Sequence, residues 1–272
     1  MMYQEYLPHP ALKEWVKCYW TLSMSAANLL DEGLSFIAEG IEISFNFADP
    51  IALISRDQKT SMFNRDCICG PMTQPMRIQP TGNVELLGVC FRAGGGYPFF
   101  GCPANELVNG SLRLEDFWGA GCLEIIEVIQ DNCQKVENVT AHLDDHLLDV
   151  LAKTSKIDPF TAAAVAVIES DRGRVEVDRM ARSVGLSTRQ LERRFKERVG
   201  MSPKELCRIS RFKNVYKQLN AIPFEGWAST ALACGYYDQS HMIRDFKHYV
   251  GASPAAYFSK PVAAGRLFTG NL

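Results

Sequence analysis

The stretch M-A-R-S-V-G-L-S-T-R-Q-L-E-R-R-F, Met180 to Phe195, decides how the C-terminal part of this chain folds. Val177, Met180, Ala181 and Val184 are spaced three and four residues apart, so they share one face of a helix. Gly185 then offers the positive φ that a tight turn between helices requires. Ser187 with Gln190 three residues later is a capping-box signature, so a second helix begins there and carries its arginines outward. Ala181 is small enough for two helices to cross closely, and Leu191 is the core residue of the second helix.

One such helix, turn and helix is a common pattern, but this one occurs twice. Phe195-Lys-x-x-Val199-Gly200-x-Ser202-Pro203 returns as Phe246-Lys-x-x-Val250-Gly251-x-Ser253-Pro254, an offset of 246 − 195 = 51. Upstream, Ala181-x3-Gly185 returns as Ala231-x3-Gly235, an offset of 231 − 181 = 50, so the second turn is one residue longer. In both copies Gly closes a helix and Ser-Pro opens the next as N-cap and first helical residue. Between them Leu206, Ile209, Phe212, Val215 and Leu219 run at helical spacing from Pro203. A helix of about 17 residues spans about 25 Å, a strut that suits two recognition helices in major grooves about 34 Å apart.

Charge separates this module from what precedes it. Residues 1–170 hold 11 Lys+Arg and 22 Asp+Glu, a balance of −11, while residues 171–272 hold 18 and 9, a balance of +9. A basic module on an acidic one points to a polyanion partner for the C-terminal part. The chain has 272 residues, 47% of them hydrophobic and 22% charged, enough for a real core in one large or two modest domains. No membrane span or signal peptide is expected, which places the protein in the cytoplasm. Its nine cysteines include no C-x-x-C, and an odd, scattered set reads as reduced thiols.

The N-terminal part reads as β-rich. Ile41 to Phe47 alternates apolar and polar residues like a strand with one buried face. Ile51–Ile54 and Val84–Phe91 read as further strands, with Pro71, Pro75, Pro80 and Gly82 punctuating the interval between them. Ala11 to Tyr19 reads as a short helix or the approach to a strand. Arg92-Ala-Gly-Gly-Gly-Tyr97 matches no nucleotide-binding fingerprint and is read as a turn. From Leu112 to Thr154 the pattern is helical, first through Leu123, Ile126 and Ile129, then through Leu143, Leu147, Leu148 and Leu151. Two such helices serve either as a dimer interface or as a lid on the sheet. His142 and His146 share a helix face, but H-E-x-x-H is missing and no third ligand is evident, so a solvated face is expected. Cys67 and Cys69 are the one close thiol pair, and their role is open.

The duplicated framework, with A-C-G-Y-Y-D-Q-S-H-M-I-R-D-F-K-H-Y-V-G-A-S-P and Tyr257, resembles the AraC-type family of bacterial transcription regulators over about residues 160–258. That resemblance implies an all-helical C-terminal module whose two recognition helices enter adjacent major grooves. By position it assigns base contacts to Arg189, Glu192 and Arg193 in the first unit, and to Gln239, Ser240, His241 and Arg244 in the second. The chemistry agrees: Arg suits guanine, Gln suits adenine and Glu accepts from cytosine. Glu192, an acid on a basic face, reads cytosine or pairs with Arg189 or Lys196. Lys196, Arg198 and Lys247 are expected to meet phosphates. The motifs Y-L-P-H-P-A-L-K-E-W, G-V-C-F-R-A-G-G-G-Y-P-F-F-G-C-P-A-N-E-L and L-E-D-F-W-G resemble an N-terminal domain of undefined ligand found in some of these regulators, with Ala93 where relatives carry proline.

The expected class is α+β. A β-rich, sandwich- or barrel-like N-terminal domain leads into helices (1–155), followed by an all-α module with two helix-turn-helix units (156–262). The expected function is sequence-specific DNA binding in transcription regulation, modulated by a ligand or by dimerisation through the N-terminal domain. The expected partners are double-stranded DNA, a second copy of the chain, RNA polymerase if the protein activates, and a small-molecule effector of unidentified chemistry. No catalytic residue, metal or cofactor is expected. The alternative is a metal-dependent sensor or enzyme domain fused to the DNA module, for which the N-terminal part offers His9, His142 and His146.

Overall fold

The computed structural model describes residues 1–28, 34–119, 136–221 and 226–259. Its N-terminal part holds ten strands: β1 (Met2–Tyr6), β2 (Val16–Met24), β3 (Leu34–Phe36), β4 (Glu42–Asn46), β5 (Ile51–Ile54), β6 (Thr60–Phe63), β7 (Asp66–Cys69), β8 (Met76–Pro80), β9 (Val84–Phe91) and β10 (Ser111–Leu112). They form two antiparallel sheets, ordered β1-β2-β9-β4-β7-β10 and β3-β8-β5-β6. Trp20, Leu22, Val84 and Leu86 from the larger sheet meet Phe36, Ile51, Leu53 and Ile78 from the smaller one.

The larger sheet is covered on its other face as well. Short helices α1 (Tyr97–Phe100) and α2 (Glu115–Trp118) and the long α3 (Val136–Lys153) lay Phe99, Phe100, Leu114, Val139, Leu143 and Leu147 against Tyr19, Ile43, Phe45, Val89 and Phe91. Double coverage explains why β4 departs from the expected one-sided strand: Glu42 and Asn46 are buried along with Ile43 and Phe45. Ala11–Tyr19 resolves into a 3-10 turn at Pro10–Leu12 and the start of β2. The proline-punctuated interval contains β6, β7 and β8.

Of the two expected amphipathic helices, the one built on Leu123, Ile126 and Ile129 lies outside the described residues. The other is α3, and it is a lid: Tyr19 donates to Asp144 Oδ1 at 2.7 Å, and the backbone N–H of His9 donates to the same oxygen at 2.9 Å. His146 is not solvated as expected, because its ring packs 4.8 Å from Trp118 and burial holds its pKa below the usual value. His142 remains exposed and bonds the Asn138 carbonyl at 2.7 Å. Among the described residues no cluster of His, Cys, Asp and Glu could hold a metal ion, and no helix is long and apolar enough to cross a membrane.

The C-terminal part is helical: α4 (Pro159–Ser170), α5 (Val177–Ser183), α6 (Thr188–Arg198), α7 (Pro203–Ala221), α8 (Trp227–Ala233), α9 (Gln239–Val250) and α10 (Pro254–Phe258). The repeated signals act alike in both copies. Gly200 and Gly251 take φ of 85° and 82°, and Ser202 and Ser253 accept from Glu205 N and Ala256 N. The strut α7 has 19 residues and is about 28 Å long.

Candidate nucleic-acid interface

The first unit is α5, a turn at Gly185 and α6. Ser187 caps α6, and Gln190 returns a bond to the Ser187 N–H, completing the capping box. Leu191, Phe195 and Val199 are fully buried along one stripe. That leaves Arg189, Glu192, Arg193 and Lys196 exposed on the opposite side. Glu192 makes no ion pair among the described residues, so the pairing with Arg189 or Lys196 is not formed. Arg198 is engaged inside the protein: its guanidinium lies 2.7 Å from Asp158 Oδ2 and stacks 5.0 Å over the Tyr97 ring, at the junction with the N-terminal part.

Asp158 ties α4 to α6. It caps α4 by accepting from Phe160 N and Thr161 N, takes the Thr161 hydroxyl, and pairs with Arg194 at 2.8 Å as well as with Arg198. Its side chain is 5% exposed. Burial alone would raise its pKa, but the arginine and threonine donors outweigh that and hold it below the ordinary carboxylate value.

The second unit repeats the device with different residues. Asp238 caps α9 through His241 N at 2.7 Å. Met242, Phe246 and Tyr249 form the buried stripe, which places Ser240, Arg244 and Lys247 on the exposed side. Gln239 and His241 are half-buried in the first turn, with the His241 ring edge-on to Tyr236 at 5.2 Å. Buried Asp245 binds Arg208 of the strut at 2.7 Å, and Tyr249 donates to Glu205 of the strut at 2.8 Å. Tyr237, just before the cap, is 89% exposed. It was not among the residues expected to meet DNA, and it lies beside the N-cap Asp238.

The N-terminal part touches both units and the strut. Tyr97 donates to Glu197 of α6 at 3.1 Å. Lys213 of α7 pairs with Glu39 at 3.1 Å. His248 of α9 bonds the Thr73 carbonyl at 3.2 Å. Burial opposes the charge on Lys213, but Glu39 more than offsets it, so its pKa is raised. Glu42 lies nearby, and its burial raises its own pKa. Nearer α6, a Cβ on Gly200 would come 2.9 Å from the Ala104 carbonyl, so the two parts meet backbone to backbone.

Comparison with known proteins agrees with this geometry. Residues 4–113 match a family described as a domain of unknown function (DUF6597), and residues 180–260 match a family described as a helix-turn-helix domain. Over 91 residues the chain is 30% identical to the HTH-type transcriptional regulator MtrA of Neisseria gonorrhoeae, which covers 34% of this chain and 30% of that protein. The chain therefore spans under a third of that relative's length. A 1.65 Å structure of ToxT from Vibrio cholerae aligns over 95% of this chain and 98% of its own, with a TM-score of 0.50 and 13% identity. ToxT bound to (E)-4-(8-methylnaphthalen-1-yl)but-3-enoic acid gives the same score and identity over 95% and 99%. At that identity the likeness concerns the fold, a β-rich N-terminal domain ahead of paired helix-turn-helix units. Residues 180–260 of this chain are thus similar to helix-turn-helix domains, and part of the chain is similar to a transcriptional regulator that carries one.

Proposed function

We propose that this protein is a cytoplasmic DNA-binding transcription regulator that reads an asymmetric site with α6 and α9. The observation that carries it is the duplicated unit. Both recognition helices are capped, bury one stripe and leave a polar face open, and both are fastened to their neighbours through a buried aspartate. The first face offers Arg189, Glu192 and Arg193 to base edges, with Lys196 to phosphate. The second offers Gln239, Ser240, His241 and Arg244, with Lys247 to phosphate and Tyr237 as an added contact to sugar or a thymine methyl. Glu192, free of an internal partner, is assigned to cytosine N4. No catalytic role is assigned to any residue.

Selection of duplexes from a random pool by the full-length protein, followed by sequencing, tests this reading. The expected result is a site of two unlike halves about one helical turn apart, bound with an affinity that falls steeply between about 50 and 200 mM salt. Recovery of no enriched sequence sinks the proposal.

We further propose that the N-terminal domain modulates this binding, as a second copy or a small effector acts on it. Its contacts with α6, α7 and α9 support this reading, because a change in that domain then reaches both readers. That ToxT, a molecule of the same fold, is seen with a small organic acid is consistent with it.

A further inference from the structure

On the face of the larger sheet that meets the smaller one, a row of thiols and one carboxyl runs across four strands. Cys18 on β2 pairs in register with Cys90 on β9, Cys90 with Glu42 on β4, and Glu42 with Cys69 on β7. Cys67 stands two residues from Cys69 on the same face of β7, and their sulfurs are 3.6 Å apart. We propose that the Cys67–Cys69 dithiol is a binding site for trivalent arsenic, taken up as its neutral trihydroxide. The inference concerns binding alone and does not rest on the effector reading above.

The geometry of β7 favours a bridging atom over a disulfide. Two residues of extended chain separate their Cα atoms by about 6.4 to 6.8 Å, the outer limit for a disulfide. The strand is also paired on both sides, Cys67 with Ser44 and Cys69 with both Glu42 and Ser111, so it cannot shorten without breaking two ladders. A direct bond would draw the sulfurs together by about 1.5 Å. One atom bonded to both sulfurs accepts the separation as it stands. A third sulfur is out of reach: Cys90 lies two strands from Cys69, roughly 10 Å away, and its thiol donates to Glu42 Oε1 at 3.5 Å.

Burial then selects the form of the ligand. Cys67 and Cys69 are 3% and 4% exposed. The hydrogen bond with Cys67, together with burial, pushes the Cys69 thiol well above its usual range, so it stays protonated. A metal cation requires thiolates and would leave charge in the core, and two thiols are fewer than a structural zinc ion takes. Arsenic trihydroxide is uncharged at neutral pH and condenses with thiols as they are. Two As–O bonds break and two As–S bonds form, each thiol proton leaving with a hydroxyl as water. Arsenic stays trivalent, so no oxidant is consumed, and its third hydroxyl remains. A cavity of about 20 Å³, room for one water-sized group, is lined by both cysteines, with Glu42 and Ser44 as its other polar walls. Those two side chains supply hydrogen bonds to the remaining hydroxyl. Phe63 of the exposed edge strand β6 lines the same cavity, which makes local opening of that edge the route in.

The test incubates the full-length protein, reduced with a phosphine and then freed of it, with arsenite or with arsenate before gel filtration. Arsenite is expected to be retained and arsenate, an anion, to be lost. X-ray absorption at the arsenic edge should show two sulfurs and one oxygen around the retained atom. Cys67→Ala and Cys69→Ala are each expected to weaken arsenite binding by about a hundredfold or more, because a single thiol loses the chelate. Cys102→Ala, at a half-buried thiol elsewhere, should bind like the parent. Hydrogen exchange of the parent should slow at residues 42–46 and 66–69 on binding, which locates the site without a substitution if an alanine variant fails to fold. The proposal is overturned if arsenite is not retained, if its shell holds three sulfurs or none, if exchange in those strands is unchanged, or if folded variants at 67 and 69 bind like the parent.

Discussion

Asp158 and Arg198 show how a buried partner holds a side chain that local sequence leaves undistinguished. Arg198 sits at the end of a basic recognition helix, and in sequence nothing separates it from Lys196, which stays exposed. Its partner is Asp158, forty residues upstream and buried at the head of α4. Asp158→Ala is expected to cost about 2 to 4 kcal/mol, combining a lost N-cap with the loss of an acceptor shared by two arginines. Urea denaturation of both proteins measures it. The sign with pH follows from the lowered pKa. The contribution is complete above the unfolded value of about 4 and is lost as pH falls through the lower folded value, so the two proteins should converge in stability at acid pH. On the reading faces, Arg193→Ala and Arg244→Ala are each expected to weaken specific binding by about 1 to 3 kcal/mol while relaxing preference at one base pair. Fluorescence anisotropy on the selected site and its point variants gives both numbers.

At the level of helices and strands, the helical module was the more legible part, because its signals are local. The capping box at Ser187 and Gln190, the glycines at 200 and 251 and the Ser-Pro starts each act within a few residues of themselves. Ser187→Ala should lower stability by about 0.5 to 2 kcal/mol, read as a fall in Tm. Gly200→Ala should cost more than about 1 kcal/mol, since it meets both a positive φ and the Ala104 carbonyl. The sheets were harder to read. Strand β6 is exposed along most of its length and β7 is buried on both faces, so neither shows the alternation that marked residues 41–47. The acids of the interdomain contacts gave no sequence signal either. Glu39, Asp158 and Glu197 look like any other charged residues until the fold brings Lys213, Arg198 and Tyr97 to them.

Across the whole molecule, the N-terminal domain holds one reading unit near Tyr97, the other near Thr73 and the strut between them at Glu39. The pair at Glu39 is the most enclosed, with side-chain exposures of 12% for Lys213 and 20% for Glu39. Lys213→Met should therefore speed hydrogen exchange in α7 and around residues 39–42, without altering the secondary structure seen by circular dichroism. Unchanged exchange there would show that the pair does not tie the parts together.

These attachments have a bearing on chimaeras. A foreign N-terminal domain grafted ahead of Pro159 would bring neither the Glu39 carboxylate, the Tyr97 hydroxyl nor the Thr73 carbonyl to its place. The transplanted helices would keep their own caps and cores and still lose their common anchor. Functional exchange between such proteins would then require moving the contact residues as a set, so the seam inherits as one unit across both halves.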